Sequence, residues 1–287
     1  MEGAGNDYIY VNCFAEGVEH DWPELARQIS DRHYGVGSDG LILVMPSACA
    51  DFRMRMYNRD GSEGDMCGNG IRCFARYVYD HRLTTNTQLC IETRAGIMRS
   101  RLVLDGDKVH SVEVNMGKPG LRPEDIPMRV PDGWMSAQNV PVCVGATTYS
   151  VTGVKMGNPN GVVFVHNLED IDVARDGRLL ELSPVFTEGA NIEFVQVLAP
   201  ELIKMKVWER GSGETLSCGT GACAALVAAA NSGSTRRAAE VLLPGGRLYI
   251  EWRQDGDVMM TGPANEVCSG VFTRWTRQHD YVVTSVG

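Results

Sequence analysis

Two stretches of the chain share one chemical frame. Cys67-Gly68-Asn69-Gly70 and Cys218-Gly219-Thr220-Gly221 both read Cys-Gly-x-Gly, and a second cysteine follows each, Cys73 and Cys223. The offset between them is 218 − 67 = 151 residues, just over half of the 287-residue chain. A cysteine at the mouth of a glycine-opened helix sits beside backbone N–H groups that have no partner within the helix, at the positive end of its dipole. That setting binds anions and pulls a thiol pKa down from about 8.5 toward neutral. Two such cysteines suit inversion at a carbon that bears hydrogen. One group removes a proton from one face of a planar intermediate, and the other returns a proton to the opposite face. The proton next to a carboxylate is barely acidic, so preorganised donors must hold the developing charge. Two helix N-termini directed at one carboxylate supply them, and exclusion of water between two closing lobes strengthens them. A lone cysteine is more often a small buried apolar residue; the matched second copy favours chemistry.

The cysteine helices sit in a longer repeat. Phe52, Met54 and Met56 alternate with Arg53 and Arg55, and Ile203, Met205 and Val207 alternate with Lys204 and Lys206, again 151 positions on. Each run reads as a strand with one buried face. Asn58 and Glu209 fall in phase with the buried faces, so both are expected to point inward just before a turn. Asp105-Gly106-Asp107 is matched by Asp255-Gly256-Asp257. Two copies at so long a period mean duplicated domains rather than a solenoid.

The helix after Cys67 carries its stripe at Ile71, Phe74, Ala75 and Val78 and is expected to end near His81. The helix from Gly219 to Asn231 is apolar all round, which predicts burial on every side. Asp21 and Pro23 open a helix with Leu25, Ala26 and Ile29 on its inner face. A helix over Leu168 to Arg175 is expected as its counterpart. Met156 to Gly161 reads as a turn before a strand from Val162. Gly35-Val36-Gly37-Ser38-Asp39-Gly40 precedes a strand, the wrong order for a dinucleotide fingerprint. Gly117 and the prolines after it place a boundary: one domain over 1–117, joined by 263–287, and a second over 118–262.

A net charge of −9 disfavours nucleic acid as a partner. The longest apolar runs are too short to span a bilayer, and the chain opens with no basic-then-apolar signal segment, so the expected location is the cytoplasm. Nine scattered cysteines without zinc-ribbon spacing fit free thiols in a reducing compartment. No metal and no cofactor is expected. Taken singly, Asn6, Asn58, Asn158 and Asn191 read as turn residues, and Glu209 with Arg210 as a surface pair.

Together these stretches resemble the diaminopimelate epimerase family. The match runs in order through Gly5-Asn6-Asp7-Tyr8, Asn58 to Glu63, Cys67 to Gly70, Gly157-Asn158-Pro159, Gly189-Ala190-Asn191, Glu209-Arg210-Gly211 and Ser217 to Gly221. The resemblance implies an α+β fold of two pseudo-symmetric lobes, each a curled, mostly antiparallel, barrel-like sheet around a central helix. It implies cofactor-free interconversion of LL- and meso-2,6-diaminopimelate, a step toward lysine and peptidoglycan, with a small amino acid as the partner molecule and a homodimer as the assembly. Cys67 and Cys218 are then the two acid/bases, with Glu209 assisting Cys218. The amides of Gly68, Asn69, Gly219 and Thr220 hold the reacting carboxylate. Asn58, Asn158, Asn191 and Arg210 read the distal amino-acid end, and Asn6 lines the pocket.

One position departs from the family. Its usual Gly-Asn-Pro-His ends here in Asn160, which cannot titrate near neutral pH, and Gly40 stands where some members carry Gln. These keep open a racemase of the same mechanism for a side chain of different length. A thiol redox or binding protein is the alternative of another class; it calls for a resolving cysteine at Cys-x-x-Cys spacing, which the sequence lacks. If the two cysteines share one cavity, oxidation is expected to inactivate by a disulfide.

Overall fold

The computed structural model describes residues 1–14, 20–145, 147–275 and 281–286, the last of these and residues 274 and 275 by backbone alone. The described residues of Met1–Val114 with Pro263–Gly287 form one compact unit, and Asn115–Gly262 a second. Each is a curled, mostly antiparallel sheet packed on a helix that a cysteine opens.

In the first unit the Asn6–Asn12 strand lies parallel to Gly40–Met45, with Tyr8 facing Gly40. Phe52–Asn58 runs antiparallel on its far side, pairing Gly40 with Asn58 and Leu41 with Tyr57. The sheet continues through Gln88–Thr93, Gly96–Asp105 and Lys108–Asn115. Helix α1, Trp22–Ser30, is capped by the Asp21 carboxylate, which accepts the Glu24 N–H at 3.1 Å. It lays Leu25, Ala26 and Ile29 on Leu41 and Leu43, and Phe272 of the C-terminal hairpin packs against the same cluster. Helix α2, Gly68–Asp80, buries Ile71, Phe74, Ala75 and Val78, and His81 is its C-cap.

The second unit repeats this arrangement. Asn158–Phe164 is parallel to Asn191–Ala199, with Asn160 facing Asn191. Leu202–Glu209 is antiparallel beside it, with Ile192 facing Trp208 as Leu41 faces Tyr57. Ile203, Met205 and Val207 point into the core, a period-2 pattern that one buried face imposes. Ala238–Leu243, Gly246–Trp252 and Val258–Gly262 complete the sheet on this side, and Thr147–Met156 pairs with Asn158–Phe164 on the other. Helices α3, Val173–Glu181, and α4, Gly219–Asn231, complete the unit. Helix α4 packs against strands from both ends of the sheet, Thr147–Met156 and Gly246–Trp252 among them. Ala222 through Ala229 are all buried as a result. Burying a side chain such as Leu226 stabilises by about 1.5–3 kcal/mol.

Two local expectations need correction. The helix placed at Leu168 to Arg175 is a 3-10 turn, Leu168–Asp170, followed by α3 from Val173. Asn167 caps the first and Asp172 the second, so the chain starts a helix twice. The turn placed over Met156 to Gly161 shrinks to Gly157 alone. Met156 already faces Asn158, and Gly157 takes φ +79°, which glycine adopts without steric cost.

Candidate active site

In the first unit Cys67 is the N-cap of α2, in extended backbone at φ −129° and ψ 121°. That conformation turns its side chain back over the first turn, where Sγ accepts the Gly70 N–H at 3.4 Å. The thiol donates to Asn6 Oδ1 at 3.3 Å. The Asn6 amide is itself held: its Nδ2 donates to Asp39 Oδ2 at 2.7 Å. Asp39 also accepts the Asp7 N–H at 3.2 Å, and Arg32 bridges Asp39 and Asp7 at 3.2 and 2.9 Å. Burial and the charge of Asp7 push the Asp39 carboxyl above its ordinary pKa. Asn58 stands at the end of its strand, its Nδ2 donating to the Ser62 hydroxyl at 3.0 Å. Asn69 is buried in the first turn. Arg72, also buried, donates to the Gly68 carbonyl at 3.3 Å and to the Pro263 carbonyl at 3.1 Å.

Glycine at 70 is a packing requirement. A Cβ there would lie 2.7 Å from Ile42 Cδ1, so the helix start rests directly on the Gly40–Met45 strand. Tyr10 fixes the same turn, its hydroxyl donating to the Gly70 carbonyl at 2.7 Å.

In the second unit Cys218 caps α4 in the same way, at φ −126° and ψ 114°, with the Gly221 N–H donated to Sγ at 3.4 Å. The Thr220 hydroxyl lies 3.4 Å from Sγ, and Asn191 Nδ2 donates to it at 3.8 Å. Asn191 is oriented by its other end: Oδ1 accepts the Arg210 N–H at 2.9 Å. Its Nδ2 also reaches Asn160 Oδ1 at 3.4 Å. Asn160 is fully buried and donates to the carbonyls of Asn158 at 2.8 Å and Val154 at 3.3 Å. Position 160 is therefore a tether for Asn191, built from amide hydrogen bonds. The Asn158 side-chain oxygen is buried without a hydrogen-bond partner.

Glu209 and Arg210 do not form the surface pair that either suggests alone. Glu209 takes the Thr215 hydroxyl, whereas Arg210 Nη1 donates to the Glu188 carbonyl at 2.9 Å. The sequence expectation of a depressed thiol pKa is reversed at Cys218. Burial pushes this thiol well above its ordinary range, and the nearby Glu209 and Glu193 push it further. Desolvation outweighs the helix dipole here because only 5% of Cys218 is exposed.

Two residues of this constellation were missed from sequence. Asp39 lies in a glycine-rich turn before a strand, where nothing in the local sequence marks it. Glu193 is a carboxylate in an apolar run, 151 positions after Ile42, and that break in the repeat is the signal that could have found it. Among the described residues, no group of three or more His, Cys, Asp or Glu side chains is placed to hold a metal ion, and no helix is long and apolar enough to cross a membrane.

The family model for diaminopimelate epimerase matches residues 1–121 and 152–267. The chain belongs to the diaminopimelate epimerase family. A diaminopimelate epimerase of Pelotomaculum thermopropionicum is 48% identical over 271 residues, covering 94% of this chain and 96% of that protein. Those of Moorella thermoacetica and Methanococcus maripaludis are 49% and 45% identical, over 95% and 94% of this chain and 97% of each relative. Among solved structures, a phenazine biosynthesis protein of the PhzF family from Bacillus anthracis superposes with a TM-score of 0.64 at 19% identity, over 91% of both chains. A probable proline racemase from Agrobacterium radiobacter with bound carbonate gives 0.65 at 14% identity, over 91% of this chain and 88% of that one. At these identities the two structures speak for the fold alone.

Proposed function

We propose that the chain is an isomerase that interconverts LL- and meso-2,6-diaminopimelate without a cofactor. The observation that carries this reading is the matched pair of thiol-capped helices. Cys67 and Cys218 each sit at an N-cap with Sγ on the amide of the third residue, in a chain of this family. The relatives reported above are named diaminopimelate epimerases, which supports the substrate.

In this reading one cysteine, as thiolate, takes the α-proton and becomes a thiol. The other, as thiol, gives its proton to the opposite face of the planar carbanion and becomes the thiolate. One proton leaves and one enters, so the net change is inversion. The carboxylate of the reacting centre lies on the first-turn amides of Gly68 and Asn69 and of Gly219 and Thr220, where helix dipoles oppose its growing charge. Asn6 orients Cys67. Glu209 assists Cys218. Asn58, Asn158, Asn191 and Arg210 read the distal amino and carboxylate groups. The enzyme works in the cytoplasm as a homodimer, and its nine free thiols suit that compartment.

The test is solvent deuterium uptake. Reduced protein is incubated with LL-diaminopimelate in D2O, and the α-proton and the meso product are followed by NMR. Exchange with epimerisation in the wild type, lost in Cys67→Ala and in Cys218→Ala, is the expected result. Epimerisation that survives either substitution rules out the two-thiol mechanism. Exchange only with other amino acids would move the substrate to the racemase alternative that Asn160 keeps in view.

A further inference from the structure

The two half-sites are built on the same register, and one substitution between them is out of character. Gly70 rests on Ile42 in the first unit. The residues 151 positions later are Gly221 and Glu193. A Cβ on Gly221 would lie 2.6 Å from Glu193 Oε1, so the carboxyl occupies the place of the Ile42 methyl and is wedged against the first turn of α4. Glu193 is completely buried, and neither of its oxygens has a hydrogen-bond partner. A buried carboxyl without partners costs stability, and costs more when it is charged. The equivalent position holds isoleucine at no such cost, so the fold itself does not require the carboxyl.

We infer that Glu193 is a positioning residue of the proposed reaction, which makes the second half-site unlike the first and keeps Cys218 as the proton-carrying thiol of the pair. The inference rests on the reading of Cys67 and Cys218 as the two acid/bases. The groups that bear on Cys218 can be named from each packed element. Glu209 approaches from the Leu202–Glu209 strand. Glu193 and the Asn191 amide approach from Asn191–Ala199, and Thr220 and the Gly221 N–H from α4 itself. Two of these are acids, and Glu193 in turn feels Glu209. Cys218, Glu193 and Glu209 are thus three neighbouring acidic groups, and each negative charge opposes the next. A thiolate at Cys218 is opposed by two carboxyls, whereas the packing partner of Gly70 is a methyl group. A pair that must hold one thiolate and one thiol is biased by this asymmetry toward the thiol at Cys218, and Cys67 donates to Asn6 only in the state in which it carries a proton.

The experiment is an NMR titration of the full chain with 13Cβ-labelled cysteine, the Cys218 and Cys67 signals being assigned from Cys218→Ala and Cys67→Ala. In Glu193→Gln, which keeps the shape and removes the ionisable carboxyl, the Cys218 titration is expected to fall by about one pH unit or more, a roughly tenfold gain in thiolate fraction, with Cys67 unmoved. Glu193→Ile, which installs the residue of the first copy, is expected to shift it the same way, and it is read in place of Glu193→Gln if that variant does not fold. An unchanged Cys218 titration in the folded variant overturns the inference. The titration reads Glu193 without turnover, so its failure is distinct from failure of the two-thiol mechanism, which the alanine variants report in D2O.

Discussion

The Cys67 thiol donates to Asn6 Oδ1 at 3.3 Å, and that oxygen faces the thiol because Asp39 takes the opposite end of the same amide at 2.7 Å. An amide can be turned end for end at little cost unless both ends are occupied. Here the carboxylate, itself steadied by Arg32, settles which end the cysteine meets. Asp39→Asn replaces the acceptor-only carboxylate with a neutral amide that can donate as well as accept, so it no longer selects the orientation. A hydrogen bond to a charged group contributes about 1.5–3 kcal/mol, so kcat is expected to fall roughly 10- to 100-fold. KM is expected to move less, since the effect reaches substrate only through Cys67. Steady-state kinetics separate the two. A loss confined to KM would place Asn6 on the substrate rather than on the thiol.

The contact between each cysteine helix and the strand beneath it predicts coupled energetics. Gly70→Ala places a methyl 2.7 Å from Ile42, and Gly221→Ala one 2.6 Å from Glu193. Each is expected to destabilise by about 1–3 kcal/mol, the usual cost of overpacking. Ile42→Val should return part of the loss in the first unit while leaving the second unchanged. Urea unfolding of the single and double variants gives the coupling energy. Additive effects would mean that the helix start does not rest on that strand.

The parts of this architecture with strong periodicity were legible in the sequence. The alternation at Phe52 to Met56 and Ile203 to Val207, the stripe of α2 and the wholly apolar α4 follow from which faces are buried, and side-chain type reports burial directly. The start of α3 was not legible, because Asn167 and Asp172 are both good caps and local sequence does not rank them. The role of Asn160 was hidden too. It becomes a tether for Asn191 through the parallel pairing of two strands about thirty residues apart, and register across a sheet is a tertiary property. Asp39 is the same case: only the pairing of Tyr8 with Gly40 brings it beside Asn6. Glu193 did carry a signal, a carboxylate where the repeat has isoleucine, but its meaning depends on what packs over it.

Asn160 offers a direct test of the departure from the family pattern. Its side chain serves three partners: it donates to the carbonyls of Val154 and Asn158 and accepts from Asn191. An imidazole ring has two nitrogens and is larger, in a position with no exposed surface. Asn160→His is therefore expected to cost about 1–3 kcal/mol of stability and to leave kcat no higher than in the wild type. The urea midpoint and kcat at neutral pH check both. A rise in kcat would show that a titratable group at 160 is what this chain lacks, and that the amide tether is dispensable.

Glu193 also sets a sign for the dependence of stability on pH. Burial, and then the charge of Glu209, hold its pKa well above the ordinary carboxylate value in the folded chain. Unfolding releases it to about 4.3. Between these values the folded state binds the extra proton, so stability falls as pH rises. The contribution is fully present below the unfolded pKa and is lost as pH climbs toward the folded one, by at most about 1.4 kcal/mol for each pH unit in that window. Glu193→Gln has no proton to lose there. Wild type and variant unfolded in urea at pH 5 and at pH 8 are thus expected to diverge, the wild type losing more stability at the higher pH. Parallel behaviour of the two would mean that Glu193 ionises normally in the folded protein, and that water or a cation reaches a carboxyl the fold otherwise encloses.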